Sequence, residues 1–207
     1  MADRLYEQEK YRQAIASYEE AMARAPEGNR KERKAKANIW ASKGNTLDAL
    51  GEYEDALEAY DQSIQLNDRE AYVWRNRADL LYDDLKRFDD ARRAAEQAVS
   101  LEPDNARGWM LKGLALRAGG HEAEAREAFM TAVTKNQADF FGCYSHGVAW
   151  FELGQYGNAL QAIDAALKLN DGDKDAWALR AKALRALGRL GEAQRAEQRA
   201  KTSKDRM

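Results

Sequence analysis

One spacing recurs along this 207-residue chain in residues of unrelated chemistry, and it leaves few folds open. Trp40, Trp74, Trp109 and Trp177 stand 34, 35 and 68 residues apart. Gly51, Gly120, Gly154 and Gly188 are separated by 69, 34 and 34. A small-residue position is held by Gly44, Ala78, Gly113, Gly147 and Ala181, and a second by Ala14, Ala56, Ala91, Ala125, Ala159 and Ala193. A third runs through Ala21, Ser63, Ala98, Ala132, Ala166 and Ala200. A shared period near 34 marks an array of supersecondary units, each too small to bury its own apolar face.

The units read as helical. Ala, Leu, Glu, Arg, Lys and Gln dominate, and the chain has two prolines, a composition that favours helix. Gly44 is the exception, because glycine inside a helix costs about 1 kcal/mol relative to alanine. Close approach of a second, antiparallel helix offsets that cost. Gly44-type and Ala56-type residues let the two helices of a unit meet, and large residues such as Leu47 and Tyr60 fill the remaining space. Burying one such side chain is worth roughly 1.5–3 kcal/mol, so packing outweighs propensity. Gly51-type residues then end the first helix in the left-handed conformation.

The unit has Trp early, Gly or Ala four residues later, an aromatic before a small residue, and Pro at the end. Repeat two carries Trp40, Gly44, Leu47, Gly51, Tyr53, Ala56 and Tyr60, and repeat four carries Trp109, Gly113, Leu116, Gly120, Ala125, Phe129 and Ala132. Repeat five carries Gly147, Trp150, Gly154, Tyr156, Ala159 and Ala166, and repeat six Trp177, Ala181, Leu184, Gly188, Leu190 and Ala193. This pattern resembles the tetratricopeptide repeat. The resemblance covers nearly the whole chain and implies an all-α fold, a right-handed α-α superhelix of about five full helix pairs. The expected divisions of a single 1–207 array are a partial repeat at 1–28, a basic insertion at 29–36, and repeats at 37–70, 71–105, 106–139, 140–173 and 174–207.

Three departures refine that plan. In repeat one, Tyr11, Ala14, Tyr18, Ala21 and Pro26 match the second half of the unit, so Met1 falls inside its first helix. The chain therefore either begins with a short helix or was cut from something longer. "NRKERKAK", Asn29 to Lys36, adds eight residues with five bases against one acid. It is read as a backward, solvated extension of the next helix, with a basic docking patch as the alternative. Repeat three holds one extra residue within Tyr82 to Ala91, which lengthens its turn. Glu197 stands where other repeats place Tyr18, Tyr60, Phe129 or Ile163, giving the last helix the polar outer side of a terminal cap.

Charged residues make up 33% of the chain, yet the formal net charge is −2. That balance argues against nucleic acid as the partner. The charged start and the lack of a long apolar run argue against a leader and against membrane insertion. Cys143 is the only cysteine, which excludes an internal disulfide and a cysteine zinc site and fits a cytoplasmic setting, unless a targeting segment has been removed. No cofactor, metal site or catalytic constellation is expected. His121 sits in a turn, and His146 lies three residues from Cys143, where ordinary packing is the simpler reading.

The family resemblance implies that the first helix of each repeat lines a concave groove. It assigns there Asn45, Tyr72, Arg75, Asn76 and Asp79, then Arg107, Met110, Leu114 and Arg117. Phe141, Tyr144, Val148 and Phe151 follow in repeat five, and Lys182 and Arg185 in repeat six. The repeat-five stripe is either core or an apolar floor bordered by Arg107, Arg117, Lys182 and Arg185. The family's chaperone adaptors grip a C-terminal carboxylate at five positions. Asn45, Asn76 and Arg107 match three of these, while Ala41 and Leu111 stand where cations are needed. The expected function is a non-enzymatic scaffold or adaptor binding a peptide or helix of a protein partner. The alternative is an assembly module that self-associates through its incomplete first repeat.

Overall fold

A computed structural model describes residues 2–24, 30–136 and 138–202; Pro26, Gly28 and the final residues 203–207 lie outside the described residues. The described residues form eleven helices and no strand. These are α1 (Ala2–Arg24), α2 (Arg30–Leu50), α3 (Tyr53–Leu66), α4 (Ala71–Asp83), α5 (Phe88–Leu101) and α6 (Ala106–Ala118). They continue with α7 (Glu122–Ala132), α8 (Phe140–Glu152), α9 (Tyr156–Leu169), α10 (Lys174–Ala186) and α11 (Leu190–Thr202). The protein is all-α and built from helix pairs. It divides into two compact units, Met1–Leu101 and Glu102–Met207.

Within the first unit α2 pairs with α3 and α4 with α5, while α1 lies along α2 and the first helices α2 and α4 touch. Within the second unit the pairs are α6 with α7, α8 with α9 and α10 with α11, and the first helices α6, α8 and α10 lie in sequence beside one another.

The pairs are held by a size match between two positions. A Cβ on Gly44 would sit 2.7 Å from the Tyr60 ring, one on Gly113 2.6 Å from the Phe129 ring, and one on Gly147 2.6 Å from Ile163 Cγ1. Where the facing residue is Ala95 or Glu197 instead, the small position holds Ala78 or Ala181. The packing argument from sequence is therefore met atom for atom. Ala56, Ala125, Ala159 and Ala166 are completely buried. Ser63, buried beside them, donates its hydroxyl to the Ala37 carbonyl at 2.8 Å, so its polar atom carries no desolvation penalty.

Helix ends follow the same local chemistry. Gly51, Gly120, Gly154 and Gly188 have φ of 81°, 83°, 74° and 75°, the left-handed conformation that closes a first helix. In repeat three Lys86 adopts φ 54° in their place, inside the four-residue turn between α4 and α5. Three first helices carry side-chain N-caps: Asn105 accepts from Arg107 N, Asp139 from Gly142 N and Asp173 from Ala176 N.

Two contacts recur at the repeat tryptophans. The indole N–H groups of Trp74, Trp109 and Trp177 donate at 2.8 Å to the carbonyls of Asp68, Pro103 and Asp171. A cation three residues on covers the ring: Lys43 over Trp40, Lys112 over Trp109 and Arg180 over Trp177.

One feature differs from the sequence reading. The first repeat shows no separate first helix, because residues 2–24 form one continuous helix. Glu9 occupies the register of Gly51, and a residue content with helical φ leaves nothing to break the run. Beyond the pairs, Arg30 to Lys36 form the opening turns of α2, largely exposed, and Lys34 reaches Glu70 at 2.8 Å.

Candidate functional site

In the unit Glu102–Met207, α8 opens with two aromatics that are absent from the other first helices. Asp139 caps the helix and sets Phe140 and Phe141 on its first turn. Phe140 meets Phe141 edge-on at 5.4 Å and stacks on Tyr144 at 6.0 Å with 13° between the planes. Phe141 is 54% exposed. The Arg107 guanidinium lies 5.1 Å from its ring centroid. The large apolar residues exposed elsewhere in described helices, such as Met130, Leu169 and Leu190, sit on second helices. Among the described residues, Phe141 is the one inside a first helix.

The remaining residues expected in this face divide into three groups. Leu114 is half-buried, and Phe151 packs against Tyr156 at 5.4 Å. Met110 and Val148 are buried, so the stripe on α8 is part floor and part core, and these two offer a ligand almost nothing. Phe141 and Val148 are seven residues apart and share one face of α8, so what separates them is position along the helix, Phe141 on its first turn and Val148 on its third. The cationic border is weaker than the sequence suggests. Arg117 is ion-paired with Glu152 and covers the Phe129 ring, and Arg185 is ion-paired with Glu197. Lys182 is exposed. Sequence reading passed over Phe140, although an aromatic stands there where repeats two, three and four begin with Ala37, Ala71 and Ala106.

The unit Met1–Leu101 presents a different surface on its first helices. Asn45 Oδ1 accepts from Tyr60 Oη at 2.8 Å and from Asn76 Nδ2 at 2.9 Å. The two asparagines of the anticipated carboxylate clamp therefore bind each other. Ala41 and Leu111 are buried, with no cation in their places. Tyr72, Arg75 and Asp79 are half-buried. Burial, then Asp84, Asp79 and Asp83, push the Asp48 carboxyl up to about 6. This surface is acidic where the face of the other unit is aromatic and cationic.

Cys143 and His146 occupy the tryptophan and cation positions of repeat five, and both are buried. His146 Nε2 donates to the Lys135 carbonyl at 3.1 Å, and burial holds its pKa below the usual histidine range. Burial and Asp139 raise the Cys143 thiol. The pair is built as core, with the imidazole committed to a carbonyl and the thiol kept protonated. His121 is exposed at the N-terminus of α7, its Nδ1 3.4 Å from Glu124. Among the described residues no helix is long and apolar enough to cross a membrane.

Comparison with known proteins agrees with this architecture. Tetratricopeptide repeat models match residues 1–30, 82–139 and 144–205, and a further one matches 37–69. No curated protein matches the sequence. Solved structures with the same fold include TTC0263, a thermophilic tetratricopeptide repeat protein of Thermus thermophilus. It is 20% identical, with 82% of this chain and 92% of that one covered at a TM-score of 0.66. The APC/C hetero-tetramer Cut9–Hcn1 gives 19% identity, 93% and 36% coverage and a TM-score of 0.68. A tetratricopeptide repeat protein of Parabacteroides merdae gives 14% identity, 97% and 81% coverage and a TM-score of 0.56. With repeat models matched over most of its length and their helix pairs present, the chain belongs to the tetratricopeptide repeat family.

Proposed function

We propose that the chain is a non-enzymatic scaffold that holds a peptide or helix of a partner protein against the first-helix face of α6, α8 and α10. Proteins of this family are in general interaction scaffolds, and what distinguishes this member is where its apolar surface is left open. The observation that carries the reading is Phe141, more than half exposed on a first helix and covered by Arg107. Clustered exposed aromatics with an arginine are the composition of binding hot spots. Phe140, itself stacked on Tyr144, braces the ring, so little side-chain entropy is lost when a ligand seats on it. The ligand takes an apolar or aromatic anchor at Phe141 and an acidic group beside Arg107 and Lys182. The setting that suits this role is cytoplasmic.

The unit Met1–Leu101 has no comparable anchor on its first helices, and Asn45 and Asn76 are already paired. Stacking through α1 gains no support either. Among its described residues, Glu9, Lys10, Arg12, Gln13 and Ser17 are exposed and polar.

The test is capture of partner protein by the wild type and by the Arg107→Ala/Tyr144→Ala double variant, with helicity checked by circular dichroism. Loss of two hot-spot contacts weakens binding by about 2–4 kcal/mol, roughly 30- to 1,000-fold. A partner retained at wild-type affinity overturns the assignment.

A further inference from the structure

The net charge of −2 conceals a segregation of charge along the helix axes of the unit Met1–Leu101. At one edge, the opening turns of α2 stand beside the α3–α4 turn. Between them lies a cleft of about 570 Å³ lined by Arg30, Arg33, Lys34 and Arg69, with Asp68 and Glu70. Glu70 is held by Lys34 at 2.8 Å and by Asn67 at 3.0 Å, so its carboxylate is already satisfied. Arg30, Arg33 and Arg69 line the same cleft and are exposed.

At the opposite edge, the C-terminal ends of α2 and α4 meet the first turn of α3. Asp48 feels the charges of Asp84, Asp79 and Asp83 there, and the Tyr53 hydroxyl bonds Asp84. Glu54 and Asp55 follow on the first turn of α3, and these two and Asp84 are exposed. Along α2, Arg30 and Asp48 are separated by roughly 27 Å of helix. That is about three Debye lengths at ordinary salt, so the two edges do not neutralise each other within one copy.

We propose that the basic edge of one copy docks on the acidic edge of a second, Arg30, Arg33 and Arg69 facing Glu54, Asp55 and Asp84. The contact joins unlike surfaces, so each copy keeps one edge open and association proceeds head to tail. The second copy is the occupant because both halves of the complement are present on one chain. These edges do not include Phe141 or Arg107, so reversing their charges leaves the residues of the proposed partner face unchanged.

Sedimentation velocity over a range of concentrations tests it with the full chain. At low salt the weight-average mass rises above 23.4 kDa with concentration. Raising salt tenfold from about 50 mM shortens the Debye length about threefold and returns the protein to monomer. Arg30→Glu/Arg33→Glu/Arg69→Glu and Glu54→Lys/Asp55→Lys/Asp84→Lys each stay monomeric alone, and an equimolar mixture of the two associates. None of the six positions is buried, and circular dichroism establishes that each variant is folded. A wild type that stays monomeric at low salt overturns the proposal. So does association unaffected by salt and by both reversals, or a mixture of folded variants that fails to associate.

Discussion

Gly113→Ala is expected to destabilise the protein, and the same substitution is expected to stabilise it once Phe129 has been cut back to alanine. In the wild type the added Cβ would lie 2.6, 2.7 and 2.9 Å from three atoms of the Phe129 ring. Alanine gains about 1 kcal/mol of helix propensity over glycine. Overpacking a filled core costs about 1–3 kcal/mol. Phe129 is 2% exposed and has no solvent side to retreat to, so the upper end applies and the net loss is about 1–2 kcal/mol. Phe129→Ala alone removes a buried ring and costs about 3–5 kcal/mol. In that background the methyl group at position 113 enters vacated space, and Gly113→Ala gains about 1 kcal/mol. The cycle therefore shows a coupling of about 2–3 kcal/mol with a change of sign, read from the denaturant midpoints of the four proteins. Additive effects would mean that the glycine is not there to admit the ring.

Acid titration should expose two groups that act in opposite directions. Asp48 titrates at about 6 in the folded chain, above its ordinary 3.8. Between these values the folded state binds the proton and the unfolded state has released it, so this group's contribution falls as pH rises through 6. Ionised Asp48 is thus a liability at pH 7. Full linkage would set it at about 3 kcal/mol, and solvent screening of a half-exposed carboxylate reduces it to about 1–2 kcal/mol. His146 works the other way. Its folded pKa lies below the ordinary 6.5, so its contribution is complete above 6.5 and is lost as pH falls. The loss is about 1.4 kcal/mol per pH unit for as long as only the unfolded histidine is charged. Asp48→Asn should raise the denaturant midpoint at pH 7, with the gain fading as pH falls from about 6 to 4. Between pH 7 and 5 this variant should lose stability more steeply than the wild type, because the opposing carboxylate is gone. Parallel pH profiles would refute the Asp48 assignment, and an Asp48→Asn protein that loses no stability as pH falls below 6.5 would refute that of His146.

The fold was legible because its determinants are local and repeated. Gly44, Gly113 and Gly147 face Tyr60, Phe129 and Ile163 at one register of the repeat, a close-packing signal contained in one sequence. Positive φ at Gly51 and its counterparts follows from the same register. The first repeat was misjudged where that register held weaker signals: Glu9 and Lys10 stop no helix, and α1 runs straight through. The candidate face was only half legible. Its exposed positions could be counted out along α6, α8 and α10, but contacts between neighbouring helices could not. Arg117 meets Glu152 and Arg185 meets Glu197 across helices, and both pairings remove charge that a list of cations counts as available. The depth of Val148 and the bracing of Phe141 by Phe140 likewise depend on contacts that spacing along one helix does not specify, since Val148 shares a face with the exposed Phe141.

The central claim is that a partner seats on the first-helix face at Phe141. Met130 is as exposed as Phe141, at 54%, but lies on the second helix α7. The most direct measurement places a photo-crosslinking amino acid at 141 in one protein and at 130 in another, and irradiates both in the presence of the cell's own proteins. A discrete covalent adduct from position 141 that is absent from 130 is the predicted result. Adducts from 130 alone, or the same adducts from both, would contradict it.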